Sequence, residues 1–314
     1  LTIPASVTEI GKYAFRSSAI SEIKFAPRAT GKEETPFEPL KLGESVFTYC
    51  ASLKKATFPD GLTSIPDSTF YNCAALTYVY VPKTVANGDD VVAGVSGFAR
   101  AIGPRAFYHC ESLAEIEFGL GGTGDLSFAE RAFWGCTSLK TIDLPESLTY
   151  LGTYTFQNSG LTSVTIPAGV KHLSLGKTYS AASGTHEVYT FANCTDLVSV
   201  TFNEGLETMG RFVFSGCTSL ESVKLPSSLY CMDRENFSNS GLKSITIPAT
   251  LTDWDYSFIN CTSLVTVTLE RGITEIPYSA FSGCTSLTTV NLPDTLTEMA
   301  RGVFSGCTSL SNIV

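Results

Sequence analysis

The sequence predicts a solenoid, a chain wound into stacked and nearly identical turns with parallel strands along one face. Three observations predict it. The heptapeptide FSGCTSL recurs unchanged at 214–220, 281–287 and 304–310, with close copies at 133–139, 191–197 and 258–264. The phenylalanine that opens it falls at 15, 47, 70, 107, 133, 156, 191, 214, 237, 258, 281 and 304, most often 23 residues apart. Between these phrases apolar and polar residues alternate over a few positions, which is the period of a strand.

Length alone, 314 residues, would allow two or three ordinary domains. The fixed period argues instead for one repeat domain over 1–314 with about 12 repeats. With 43% hydrophobic and 16% charged residues the chain should bury a core. A net charge of −9 argues against a nucleic-acid partner, since no basic patch offsets it. No apolar run is long enough to span a membrane. No basic-then-apolar leader opens the chain, so a signal peptide is expected to be removed or to lie outside this sequence.

One unit reads FSGCTSLESVKLPSSLYCMDREN, 214–236. Within it Leu220, Val223 and Leu225 mark a strand, and Pro226 ends the ladder because it has no N–H to donate. Leu229 and Met232 form a second apolar group before Phe237. A single unit cannot cover this much apolar surface, but stacked units cover one another. The rungs should lie about 4.8 Å apart with parallel strands in register, because each enters from the same side.

Nine cysteines stand three residues after a repeat phenylalanine, at 50, 73, 110, 136, 194, 217, 261, 284 and 307. They read as a column of buried thiols, small and apolar with a weak donor. The rival reading is a disulfide framework. It meets a geometric difficulty, because equivalent positions on adjacent rungs hold their Cβ vectors parallel and about 4.8 Å apart. Three rungs, FRSSAI, FQNSGL and FSNSGL, carry serine in place of the cysteine and are one residue shorter. The thiol is therefore expected to fill an inward pocket that the shorter turn removes. Cys231 lies off the column and reads as a surface or half-buried thiol. No C-x-x-C pair occurs and the histidines are scattered, so no zinc site, other metal site or cofactor is expected.

The frame L-x-x-[IV]-x-[ILF]-P-x-x-[LV] resembles the leucine-rich repeat core. The A-F-x-x-C-x-x-L phrase, as at Ala106-Phe107, Ala132-Phe133 and Ala280-Phe281, resembles the BspA-like sub-class with its 23-residue period. That resemblance implies a curved right-handed coil with a parallel β-sheet on its concave face, short strands, turns and loops elsewhere, and little helix. It also implies a cell-surface or secreted protein of the bacterial or protist kind, some of which bind host matrix proteins or other cells, and it brings no catalytic residues. The opening LTIPASV matches ITIPATL at 245–251, and Asn312–Val314 stops within a strand pattern, so incomplete repeats are expected at both ends.

Insertions are expected near 27–41, 83–99, 119–124 and 174–187, where Gly, Ser, Thr, Asp and Asn gather. Such loops leave one face of a solenoid and are often where it binds. GLGGTG lacks the Lys-Ser/Thr of a phosphate loop. Asn87-Gly88-Asp89-Asp90 lacks the spaced ligands of a calcium loop. The glycosylation patterns at Asn193, Asn236 and Asn260 are explained by the repeat itself.

Two and four residues after each repeat leucine, side chains should point outward. Late rungs present small hydroxyls there, such as Ser199/Thr201 and Thr266/Thr268. Early rungs present Lys55/Thr57, Tyr78/Tyr80, Glu115/Glu117 and Thr141/Asp143. Outward tyrosines beside acidic residues are the local interaction signal, because aromatics on a rigid surface act as anchors. Lys55, Tyr78, Tyr80, Glu115, Glu117 and Asp143 are thus the candidate partner-binding residues. A monomeric, non-enzymatic binding or adhesion module for a protein or glycan partner is expected. A structural spacer within a larger surface protein is the alternative.

Overall fold

The structure, a computed structural model, describes residues 1–26, 39–87, 101–120, 125–173 and 188–314. The cores of the four expected insertions, 27–38, 88–100, 121–124 and 174–187, lie outside the described residues. So do Gly88–Asp90 of the rejected calcium loop. The chain divides into two compact units, Leu1–Ser159 and Gly160–Val314.

In the first unit the strands are β1 (Thr2–Ile3), β2 (Glu9–Ile10), β3 (Glu22–Phe25), β4 (Lys41–Leu42), β5 (Lys55–Thr57), β6 (Tyr78–Val81), β7 (Glu115–Phe118), β8 (Leu126–Phe128) and β9 (Leu148–Leu151). Five of them form one parallel sheet in the order β1-β3-β5-β6-β7. Its register is in step: Lys55 faces Tyr78, which faces Glu115, and Thr57 faces Tyr80, which faces Glu117. Strand alternation buries Ile23, Ala56, Val79 and Ile116 and turns their neighbours outward. A second run of parallel pairing lies later in the rungs, after a Pro-x-x-[Leu/Val] turn where one is present, as at Pro4–Val7, Pro59–Leu62 and Pro145–Leu148. It contains β2–β4, β8–β9 and single bridges between Leu40 and Leu62, Ile65 and Ile102, and Ile102 and Phe128. The helix among the described residues is a 3-10 turn, Lys83–Asn87.

In the second unit the strands are β10 (Ser163–Ile166), β11 (His172–Leu173), β12 (Ser199–Phe202), β13 (Thr208–Met209), β14 (Cys231–Met232), β15 (Ser244–Ile247), β16 (Thr266–Leu269), β17 (Glu275–Ile276), β18 (Thr289–Asn291), β19 (Glu298–Met299) and β20 (Asn312–Ile313). β10–β12 and β15-β16-β18-β20 form the main ladders, and β11-β13-β14 and β17–β19 the second run, all parallel. The strand expected at Ser222–Leu225 does not form, although Leu220 and Leu225 are buried as expected. Burial of the two leucines seats the rung without a ladder, and Lys224 is a poorer strand former than the Thr201 and Thr246 that hold its place in the neighbouring rungs. Cys231 is also corrected: it sits buried in β14, paired with Thr208 of β13.

The turn around each phenylalanine makes a third line of pairing. Two residues per rung have left-handed backbone, two before and two after the ring: Ser68 and Asn72 about Phe70 (φ 55° at both), and Tyr256 and Asn260 about Phe258 (φ 55° and 57°). This conformation costs a side-chain-bearing residue roughly 1–2 kcal/mol, least for Asn, and costs Gly nothing. That preference explains the Gly or Asn before the cysteine in FSGC, FWGC, FINC and FANC. The alternation aims successive N–H groups at the next rung: Ser45 at Asp67 (2.9 Å), Phe47 at Thr69 (2.9 Å) and Tyr49 at Tyr71 (2.8 Å). The rings then stack. In the first unit Phe15, Phe47, Phe70, Phe107, Phe133 and Phe156 follow one another with centroids 5.0–5.4 Å apart. In the second, Phe191, Phe214, Phe237, Phe258, Phe281 and Phe304 do so at 5.3–5.9 Å.

Beside each ring column runs the cysteine column, with free thiols that are almost all buried. Within each unit the column thiols donate to the carbonyl of the phenylalanine one rung back, as Cys73 to Phe47 (3.0 Å), Cys110 to Phe70 (3.1 Å), Cys217 to Phe191 (3.2 Å) and Cys284 to Phe258 (3.2 Å). The shorter turns do not remove this pocket, contrary to the sequence expectation. Ser18 and Ser240 occupy it and lie 3.4 Å from the thiols of Cys50 and Cys261. The deleted residue is compensated by close backbone approach, since the Gly241 N–H reaches the Cys217 carbonyl at 3.1 Å. A Cβ at Gly241 would have no room against the Thr218 carbonyl.

Candidate binding surface

The register of β5, β6 and β7 brings Lys55, Tyr78, Tyr80, Glu115 and Glu117 onto one sheet face. The Lys55 ammonium lies 4.5 Å from the centre of the Tyr78 ring. The Tyr78 hydroxyl donates to Glu117 Oε2 at 2.7 Å, crossing diagonally from β6 to β7. Burial and the neighbouring Glu117 carboxylate push the Tyr78 phenol up to about 12, so the hydroxyl remains a donor over the physiological range. Burial, with Asp60 and Glu117 nearby, also raises Tyr80. Both tyrosines are half-buried, whereas Lys55, Glu115 and Glu117 are exposed. The Tyr80 hydroxyl lies over Gly119, where a Cβ would stand 2.9 Å from it. Tyr78 is thus held between a cation and a carboxylate, and a cation, two phenols and two carboxylates share one sheet face.

Asp143 is not on that sheet. It holds the place in its rung that Glu117 holds in β7, four residues after the repeat leucine (Leu139 and Leu113), but Thr141–Leu144 form no strand. In place of a ladder there is a cleft of about 940 Å³. Glu115, Glu117, Asp143, Glu146 and Lys83 line it with polar groups, above a floor that includes Ile116, Leu126 and Ile142. Leu120 at its margin is 92% exposed. Thr77 and Val81 of the β6 rung accept from the N–H groups of Glu115 (3.2 Å) and Gly119 (2.8 Å). Alternation therefore turns the backbone of Ile116 and Phe118 toward Thr141–Leu144. No backbone hydrogen bond joins β7 to that segment among the described residues.

An aromatic row escaped the sequence reading. Tyr71, Tyr108 and Trp134, each directly after its repeat phenylalanine, stack at 4.9 and 4.8 Å, and Trp134 Nε1 donates to Gln157 Oε1 at 2.8 Å. Three consecutive rungs with an aromatic at one position were the available signal. The rings cover one another's faces, so the row offers edges and not stacking platforms. Among the described residues no three His, Cys, Asp or Glu side chains group as metal ligands, and no helix is long and apolar enough to cross a membrane.

A family profile described as BspA type leucine rich repeat region matches six copies over residues 1–90, 97–180 and 185–311. None of the curated proteins matches the chain. Three bacterial structures align with it. A leucine rich cell surface protein of Faecalibacterium prausnitzii is 23% identical, with 99% of this chain and 77% of that one covered and a TM-score of 0.45. A leucine-rich repeat protein of Bacteroides ovatus is 21% identical, with coverage of 93% and 80% and a TM-score of 0.43. A leucine rich repeat protein of T. pallidum is 23% identical, with coverage of 62% and 75% and a TM-score of 0.45.

Proposed function

We propose that this chain, which belongs to the BspA-type leucine-rich repeat proteins, is a non-enzymatic binding module that presents the face of β5, β6 and β7 to a protein or glycan partner. The observation that carries this reading is the fixed row of Lys55, Tyr78 and Glu117, linked by a cation–π contact and a hydrogen bond. These two contacts hold the Tyr78 ring in place without a partner, which lowers the entropy cost of association. Half-buried tyrosines with polar tips are the residue type that dominates binding energy at protein surfaces. The corresponding face of the second unit carries Ser199/Thr201, Ser244/Thr246 and Thr266/Thr268 and offers no such anchor. A monomer displayed at a cell surface or secreted, as the family resemblance implies, is part of the proposal. A combined protein and glycan array is the test, repeated with Tyr78→Ala/Tyr80→Ala. Loss of the hits in the double variant is expected, and unchanged binding would remove the sheet face from the account.

A further inference from the structure

We infer that the cleft between β7 and Ile142–Ser147 takes an extended, cationic peptide segment of a partner protein, laid as a strand along the outer edge of β7. This rests on the sheet-face reading for its near wall, since Glu115 and Glu117 belong to both. Three features select this occupant. The backbone groups of Ile116 and Phe118 face the cleft without a ladder partner, and alternating N–H and C=O groups are matched by another peptide backbone. Four carboxylates, Glu115, Glu117, Asp143 and Glu146, line the cleft against the one lysine, Lys83. Its floor is apolar, with Ile116 and Ile142 each slightly uncovered (6% and 7% exposed), unlike fully buried Val79 and Ala56.

A strand placed there alternates its side chains. One set meets the carboxylates and the other the floor and the exposed Leu120. The segment recognised is therefore one in which Lys or Arg alternates with Val, Ile or Leu. A glycan fits less well. Among the described lining residues Phe118 is the one aromatic ring, and one of its two faces is taken by Phe128 at 5.6 Å, so the cleft offers a sugar no pair of stacking platforms.

The test is fluorescence anisotropy with the intact chain and a labelled alternating Val-Lys peptide of about six residues, the usual length of a strand. Two control peptides accompany it: an alternating Val-Glu peptide, and the Val-Lys peptide with alternate amides N-methylated. Two variants separate the walls, Asp143→Lys/Glu146→Lys on the far side and Tyr78→Ala/Tyr80→Ala on the sheet face. The Val-Lys peptide is expected to bind, N-methylation and the far-wall charge reversal each to weaken it by roughly tenfold or more, and the Val-Glu peptide not to bind. Equal binding of the N-methylated peptide, or binding indifferent to the charge reversal, would overturn the inference. If array hits vanish in the tyrosine variant while no Val-Lys peptide binds, the sheet face stands and the cleft proposal fails. If the reversal abolishes peptide binding while the tyrosine variant changes neither assay, the cleft stands and the sheet-face anchor fails.

Discussion

The Cys136 thiol donates to the carbonyl of Phe107, one rung back, across 3.2 Å. The same contact recurs along both units, so the cysteine of the repeat is an inter-rung hydrogen-bond donor that also fills space. Replacing it by alanine leaves the Phe107 carbonyl without the thiol and opens a small cavity. Cys136→Ala should lower unfolding stability by about 1–3 kcal/mol, read by urea denaturation. A cost near zero would mean that the thiol neither fills space nor makes a stabilising hydrogen bond there.

Asn236 carries the repeat's one buried, unpaired amide oxygen among the described residues. Its amide nitrogen donates to the Asp233 carbonyl. Thr155 and Thr69, in the same place before their phenylalanines, make that bond with a hydroxyl alone, at 2.7 Å to Gly152 and Pro66. Asn236→Thr removes the amide oxygen and, with its hydroxyl on the Asp233 carbonyl as at Thr155 and Thr69 and unlike the unpaired hydroxyl of Thr190, should stabilise the protein by about 1 kcal/mol in the same denaturation assay. A destabilised variant would show that the orphan oxygen has a partner after all.

The missing strand at Ser222–Leu225 is attributed to its outward residues. Lys224→Thr gives the rung the hydroxyl that β12, β15 and β16 carry at that position. Slowed amide exchange at Val223 and Leu225 is expected, with a gain of up to about 1 kcal/mol. Unchanged exchange would place the cause elsewhere in the rung.

Burial pushes the thiols of Cys110, Cys136 and Cys217 above their ordinary range. A thiol whose folded pKa is raised stays protonated in the native state while the unfolded chain begins to ionise near about 8.5. The unfolded state then binds fewer protons, so stability is fully present below that pH and falls as pH rises through and above it. Denaturant midpoints should decline steadily on the alkaline side, and Cys136→Ala should flatten the slope. A profile level to high pH would contradict the buried column.

Much of this fold was legible in the sequence because the repeat is nearly literal. Twelve phenylalanines at a common period locate every rung, and Leu-x-x-[Ile/Val] locates the buried face of each strand. The left-handed turn was less visible, because Gly and Asn before the cysteine stand beside Tyr49 and His109, which adopt the same conformation at φ 61° and 54°. The second line of pairing was hidden by strands of two to four residues, most of them too short to show alternation. Lys55, Tyr78, Tyr80, Glu115 and Glu117 fell on one face because parallel register carries position directly into space. Asp143 did not join them, because its rung forms no ladder with β7, and only the structure shows that rung left unpaired.

Thiol titration in the absence of reductant tests the rung architecture most directly. The native protein should react slowly at few positions, and the denatured, unreduced protein should expose close to its ten cysteines as free thiols. A denatured protein with almost no reactive thiol would mean that the column is cross-linked, and would contradict the stack of thiol-to-carbonyl contacts described above.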